Sequence, residues 1–116
     1  MEFSKRLELR TRTFAISIIR LSGLLPPDSV EGKIIRNQMT KAVCSIGANY
    51  REANRARSKA DFRSKICESE ASELCYWLEI NSELKWCDPK HIESALIEAN
   101  ELLAIFTSIG KNLKLQ

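Results

Sequence analysis

Glycine, proline and aromatic side chains are scarce in this sequence of 116 residues, which holds four glycines and three prolines and is 7% aromatic. Turn-rich all-β proteins and disordered chains use more glycine and proline, so the composition excludes both classes. Hydrophobic residues make up 44% of the chain and charged residues 28%, which is ordinary for a globular protein. The length predicts a single domain over residues 1–116.

Long hydrophobic runs are absent as well. A membrane-spanning helix needs about 20 consecutive apolar residues, and every apolar run in this sequence is much shorter. The N-terminal stretch MEFSKRLELRTR is charged throughout and lacks the apolar core of a signal peptide. We therefore expect a cytoplasmic protein without a membrane partner.

Residues that carry catalytic or metal chemistry are few. The chain has one histidine, His91, and four cysteines, none of them in a C-x-x-C pair, so the spacing of a zinc site is missing. We expect the cysteines to remain reduced thiols in the cytoplasm. The sequence also lacks a glycine-rich phosphate loop, and one histidine gives no convincing Ser-His-Asp arrangement. We accordingly predict no metal, no cofactor and no catalytic residue, and therefore no enzyme.

Apolar residues at helical spacing predict four helices. The first covers about residues 2–21 and ends before Pro26 and Pro27. The second follows an N-cap at Asp28, the third covers about residues 59–84 after an N-cap at Ser58, and the fourth starts at Pro89 behind Asp88. We expect the fourth helix to end near Gly110. Short connections between such helices predict an all-α, antiparallel up-down-up-down four-helix bundle.

The seam of the second helix contains one polar residue, Asn49, where the heptad-like spacing calls for an apolar side chain. Glu70 and Glu73 lie on the facing edge of the third helix. Because an unpartnered buried amide or carboxylate is costly, we hypothesise that these groups form a buried polar cluster that fixes the register of the helices. A di-metal carboxylate site is the weaker alternative, since Glu70-x-x-Glu73 lacks the histidine of such sites.

Charge is divided unevenly along the chain, although the net charge is only +3. Residues 33–65 hold nine basic and two acidic residues, a balance of +7, and residues 66–104 hold nine acidic and two basic residues, a balance of −7. A group of six cations spans the end of the second helix and the start of the third: Arg51, Arg55, Arg57, Lys59, Arg63 and Lys65. Such a group suits phosphates, with Tyr50 and Phe62 as candidates for base stacking. A solvated corner, or a subunit contact that pairs the basic and acidic segments, explains the same pattern.

A resemblance to a known family rests on two stretches. Residues 38–53 read QMTKAVCSIGANYREA, and Glu70-Ala71-Ser72-Glu73 is followed by Tyr76-Trp77-Leu78. These resemble the signatures Q-L-x-R-S-x-x-S-I-G-A-N-x-x-E-A and E-A-S-E-x-x-Y-W-L of the bacterial four-helix-bundle proteins named for 23S rRNA intervening sequences. The chain departs from the family at Lys41-Ala42, where Arg-Ser is usual, and at Glu68, where a small or apolar residue is usual.

The resemblance implies a helical bundle whose biochemical role is not established. It implies a homo-oligomer, a pentamer in some members, with a basic surface for nucleic acid in related accessory proteins. The shared polar positions are Ser45, Asn49, Glu52, Glu70 and Glu73. We predict a non-enzymatic oligomer that binds RNA or other nucleic acid through the six cations. The alternative is a protein–protein adaptor ring without a nucleic-acid contact.

Overall fold

The computed structural model describes residues 2–114, and these form four long helices and one short helix without any strand. The elements are α1 (Phe3–Ser22), α2 (Val30–Ala53), α3 (Lys59–Ser64), α4 (Glu68–Leu84) and α5 (Pro89–Lys114). Helix α1 packs on α2, α2 packs on α4 and α4 packs on α5, whereas α1 and α5 touch only sparingly. This confirms the predicted all-α four-helix bundle and leaves one side of it open, between α1 and α5.

The helix starts follow the capping residues, with one correction. Ser58 Oγ accepts a hydrogen bond from the Asp61 backbone N–H at 3.1 Å, and Asp88 Oδ1 accepts one from the Lys90 N–H at 2.9 Å, as expected. The N-cap of α2 is Ser29 and not Asp28, because Ser29 Oγ accepts from the Gly32 N–H at 3.0 Å. A hydroxyl thus satisfies one of the free donors of the first turn where we had expected a carboxylate.

The predicted third helix is wrong in one respect, because residues 65–67 interrupt it and divide it into α3 and α4. The interruption has a structural cause in Cys67, which is fully buried at 0% exposure. Its thiol donates to the Ile46 carbonyl of α2 at 3.2 Å. This contact anchors the chain in the core between α3 and α4, and α3 itself contacts both α2 and α5.

The last helix runs beyond the expected end at Gly110 and continues to Lys114. Gly110 is buried, and a Cβ at this position would lie 3.5 Å from the Glu68 carboxylate, so the residue serves packing between α5 and α4. No glycine among the described residues has a positive φ, which means that Gly110 does not adopt the left-handed geometry of a helix stop. No helix among residues 2–114 combines the length and the apolarity that a membrane crossing requires.

The core contains the predicted apolar positions of each long helix, including Phe14, Ile46, Leu74 and Phe106. On α2 the seam is rotated slightly from the prediction, so that Tyr50 is buried and Asn49 is only half-buried. The rings of Tyr50 and Phe106 meet at a centroid distance of 5.5 Å and link α2 to α5. Phe3, expected on the stripe of α1, is exposed.

Candidate nucleic-acid interface

The six cations singled out in the sequence lie around one end of the bundle, where α2 ends and α3 turns across toward α5. We call this group the basic corner, and it consists of Arg51, Arg55, Arg57, Lys59, Arg63 and Lys65. Lys65 is half-buried and the other five are exposed to solvent. The fold therefore gathers into one region the cations that the sequence spreads over fifteen positions from 51 to 65.

Glu8 of α1 connects the start of α1 to the basic corner. Its carboxylate accepts a hydrogen bond from Asn54 Nδ2 at 2.8 Å and lies 3.6 Å from Arg51 Nε. The Asn54 hydrogen bond, together with the positive charges of Lys5 and Arg51, lowers the pKa of Glu8 against the opposing effect of burial. Sequence reasoning missed Glu8, because a single acid in a basic helix gives no signal until its partner is known.

Two cations of the basic corner interact within the fold at α3, one with α5 and one with α3 itself. Arg63 Nη2 donates to the Leu113 carbonyl near the end of α5 at 2.9 Å. Lys65 Nζ lies 3.5 Å from Asp61 Oδ1, one turn away on α3. These two cations are therefore partly engaged within the fold.

Arg57 and Lys59 differ from the rest of the basic corner. Both are exposed, and neither forms an ion pair or a side-chain hydrogen bond with any residue in the part of the chain that the structure describes. Arg55 Nη1 lies 3.5 Å from the Arg51 carbonyl, and its charge also helps to lower the pKa of Glu8. Two cations of the basic corner, Arg57 and Lys59, thus face solvent without a carboxylate partner, and such groups are available to an anion.

The residues beneath the basic corner are buried in the core. Burial raises the pKa of the Cys67 thiol to about 12, and the negative charge of Glu70 acts in the same direction. Burial also raises the pKa of Tyr50, which packs inside the core. Tyr50 is therefore not free to stack on bases, contrary to expectation, and Phe62 is half-buried.

The proposed buried polar cluster does not form as expected. Ser45, Asn49 and Glu70 are half-buried, and Glu52 and Glu73 are exposed. Glu70 accepts from Ser69 Oγ at 3.0 Å and Glu73 accepts from Trp77 Nε1 at 3.3 Å, both within α4, and no hydrogen bond among residues 2–113 joins either acid to Asn49. The reason is geometric: Asn49 is rotated toward the edge of α2, so the carboxylates of α4 remain with solvent and their own helix.

The fully buried amide among the described residues is instead Asn81 of α4, at 0% exposure. Its Nδ2 points to Met39 Sδ at 3.6 Å, and its Oδ1 has no hydrogen-bond partner among the described residues. The burial of Asn81 was not predictable from the sequence, since Asn81 follows Ile80 near the end of a helix where either residue could face inward. Within residues 2–114, no three His, Cys, Asp or Glu side chains are placed to hold a metal ion.

Comparison with known proteins identifies the family to which the chain belongs. The family described as 23S rRNA-intervening sequence protein matches residues 8–108, which is most of the chain. The chain belongs to this family. The 23S rRNA-intervening sequence protein match includes α2, α3 and α4 in full and therefore the whole basic corner.

A solved relative has the same fold. It is a crystal structure of a protein of unknown function from the S23 ribosomal protein family of Bacteroides thetaiotaomicron, with a TM-score of 0.79 and 31% sequence identity. The similarity covers 90% of this chain and 97% of that one. No curated protein matches the sequence. The family is thus one of small helical proteins of the 23S rRNA intervening-sequence type.

Proposed function

We propose that this 23S rRNA-intervening sequence protein is a non-enzymatic oligomer that binds RNA or another nucleic acid through the basic corner. The observation that carries the proposal is the exposure of Arg57 and Lys59 without carboxylate partners among the described residues. Phosphates carry the negative charge that pairs with these cations, and an arginine binds a phosphate through two parallel hydrogen bonds. The contact is with the backbone of the nucleic acid, because the aromatic residues nearby are buried or half-buried.

The open side of the bundle, between α1 and α5, supports the proposal that the protein forms an oligomer. A groove of about 1050 Å³ lies between α1 and α5. Exposed apolar side chains, among them Leu9, Leu24 and Ile97, line it. Arg10 crosses the groove to Glu98, with Nε 2.8 Å from Oε2. An apolar surface with charged edges is typical of a protein–protein interface, and we propose a second copy of this chain as its occupant. The pentameric number comes from the family resemblance.

Titrations with labelled RNA and DNA at several salt concentrations test the binding. We expect the logarithm of the binding constant to fall linearly with the logarithm of the salt concentration, with a slope of about −0.7 to −0.9 per neutralised phosphate. The variant Arg57→Gln/Lys59→Gln should weaken binding and flatten this slope by about 1.4 to 1.8. The matched control is Lys85→Gln/Lys90→Gln, which removes two exposed cations away from the corner and should retain binding.

Affinity that does not respond to salt, or equal loss in the control, would contradict phosphate contacts at the basic corner. Absence of any binding to RNA and DNA at low salt, combined with a stable oligomer, would favour the alternative of a protein adaptor ring. Light scattering on the same samples measures the oligomer, since five copies of 13.2 kDa give 66 kDa.

A further inference from the structure

A second group of cations lies at the opposite end of α2 from the basic corner. A cleft of about 600 Å³ opens between the end of α1 and the start of α2. Its lining is polar throughout: Ser22, Lys33, Arg36, Asn37, Thr40 and Lys41. Its three cations form no ion pair with the described residues, and α2 carries no acidic residue between Glu31 and Glu52. The cleft therefore has the positive charge and the neutral hydrogen-bond donors that suit a phosphate.

The two groups of cations share one face of α2. Lys33 and Arg51 are eighteen residues apart, and with 3.6 residues per turn this is about five full turns, so both side chains leave the helix in the same direction, about 27 Å apart. Exposed residues at helical spacing connect them. We call this line the α2 ridge. It consists of six exposed residues of α2, Lys33, Asn37, Lys41, Cys44, Ala48 and Arg51, and it leads to Arg55 just beyond the end of the helix.

Only small side chains occupy the middle of the α2 ridge. Cys44 and Ala48 are small, and they separate Lys41 from Arg51 without a bulky or acidic side chain. A long polyanion is thus able to pass close to the helix between the two groups of cations. The large exposed apolar residues of α2, Val30 and Ile34, lie in its first two turns, so the middle of the ridge differs from the interface of a protein partner, whose centre is usually apolar and aromatic.

We propose that the nucleic acid lies along the α2 ridge, and that its phosphates contact Lys33, Arg36 and Lys41 at one end and the basic corner at the other. This inference rests on the proposed function and extends it, because it assigns a second phosphate site and a minimum length to the ligand. A span of about 27 Å corresponds to about eight base pairs of duplex at 3.4 Å per base pair. A ligand of this kind bridges the two sites, whereas a mononucleotide fills only one.

The salt dependence of binding tests the second site. The probes are a 24-base-pair DNA duplex and a single-stranded RNA of 24 nucleotides, with Lys33→Gln/Lys41→Gln compared against Lys85→Gln/Lys90→Gln. Each pair removes two exposed lysines, but only the first lies on the α2 ridge. We expect the ridge variant to reduce the magnitude of the salt slope by about 1.4 to 1.8, and the control to leave it unchanged.

Cys44 supplies a second readout that does not depend on affinity. It is an exposed thiol near the middle of the α2 ridge, so saturating duplex should slow its reaction with a thiol reagent at least several-fold. Cys87, half-buried at the α4–α5 connection, should react at the same rate with and without duplex.

The outcomes separate the two proposals. Equal slopes for the ridge and control variants, with an unprotected Cys44 and a weakened basic-corner variant, would overturn the α2 ridge and leave the proposed function in place. Failure of the unmodified protein to bind either probe at low salt would overturn both. Protection of Cys44 by polyglutamate but by neither nucleic acid would assign the α2 ridge to an acidic protein instead.

Discussion

Glu8 near the start of α1 and Asn54 at the end of α2 are joined by a 2.8 Å hydrogen bond between residues 46 positions apart. The same carboxylate faces Arg51, so one acid holds α1 against the basic corner. Because the interaction stabilises the ionised carboxylate, the pKa of Glu8 is lower in the folded protein than in the unfolded chain. Protonation of this one group therefore weakens the contact between α1 and the corner.

The first prediction concerns pH. A carboxyl group with a lowered folded pKa contributes stability above its unfolded pKa, and this stability is lost as the pH falls through the folded pKa. We expect the free energy of unfolding to fall less steeply below about pH 4.5 in Glu8→Gln than in the unmodified protein. Urea unfolding between pH 3 and pH 7 measures this. Glu52→Gln is the control, since Glu52 is exposed and has no partner among the described residues; equal pH profiles for the two variants would contradict the role of Glu8.

The second prediction compares two glycines of α2. A Cβ at Gly47 would lie 3.7 Å from Thr11 Oγ1 and 3.9 Å from its carbonyl carbon, which is ordinary contact with α1. Alanine fits there and is the better helix former, so Gly47→Ala should raise the free energy of unfolding by about 0.5–1 kcal/mol.

Gly32→Ala should have the opposite effect, because the new Cβ would collide with the Pro26 carbonyl oxygen and lie 2.8 Å from Ser29 Oγ. We expect a loss of about 1–3 kcal/mol from overpacking and displacement of the Ser29 cap. Thermal or urea unfolding of both variants tests this prediction. Equal changes of the same sign in the two free energies of unfolding would contradict it.

The third prediction concerns the amide buried in the core. Asn81 leaves its Oδ1 without a partner among the described residues, and such a group costs about 1–3 kcal/mol. Asn81→Leu removes the polar group, keeps the number and branching of the side-chain heavy atoms, and should raise the free energy of unfolding by an amount of this order. The same change at half-buried Asn49 should stay within about 0.5 kcal/mol. A destabilised Asn81→Leu protein would mean that the amide is satisfied in solution.

The fourth prediction concerns the cysteines. Cys44 is exposed, whereas Cys67 and Cys75 are buried and their pKa values are raised by that burial, that of Cys67 to about 12. Since the thiolate is the reactive form, a thiol reagent at neutral pH should modify Cys44 first and the two buried thiols only on unfolding. Mass spectrometry of the partly labelled protein identifies the site, and Cys44→Ser should remove the fast phase. Rapid labelling of Cys67 would show that residues 65–67 open readily.

The fifth prediction concerns the groove between α1 and α5. Ile97 is 56% exposed in the single chain, so Ile97→Glu places a charge in the groove without disturbing the core. If a second copy covers the groove, the variant should dissociate and its mass by light scattering should fall toward 13.2 kDa. Ile34→Glu, which alters an exposed apolar residue on α2, is the control and should retain the mass of the unmodified protein.

The helical period was enough to predict the bundle, because the apolar positions of each long helix recur on one face and have few other ways to leave water. Capping residues were almost as informative at Ser58 and Asp88. The interruption at Cys67 was not predictable, since it depends on a thiol reaching a carbonyl of another helix, twenty-one residues earlier in the sequence.

The burial of individual polar residues was the second feature that could not be predicted from the sequence. Asn49 and Asn81 both occupy positions where a rotation of about 20–30° decides between the core and the edge of a helix, and helix packing sets that rotation. The basic corner could be located from the sequence, but its architecture depends on Glu8 and on the end of α5, which are remote in the chain.

The hydrogen bond from Arg63 to the Leu113 carbonyl makes the C-terminal turn of α5 part of the support for α3. Removal of residues 111–116 would take away that acceptor while leaving every cation of the basic corner in the chain. The orientation of α3, and with it the spacing of Arg57, Lys59 and Arg63, therefore depends on the last turn of α5, fifty residues further along the chain.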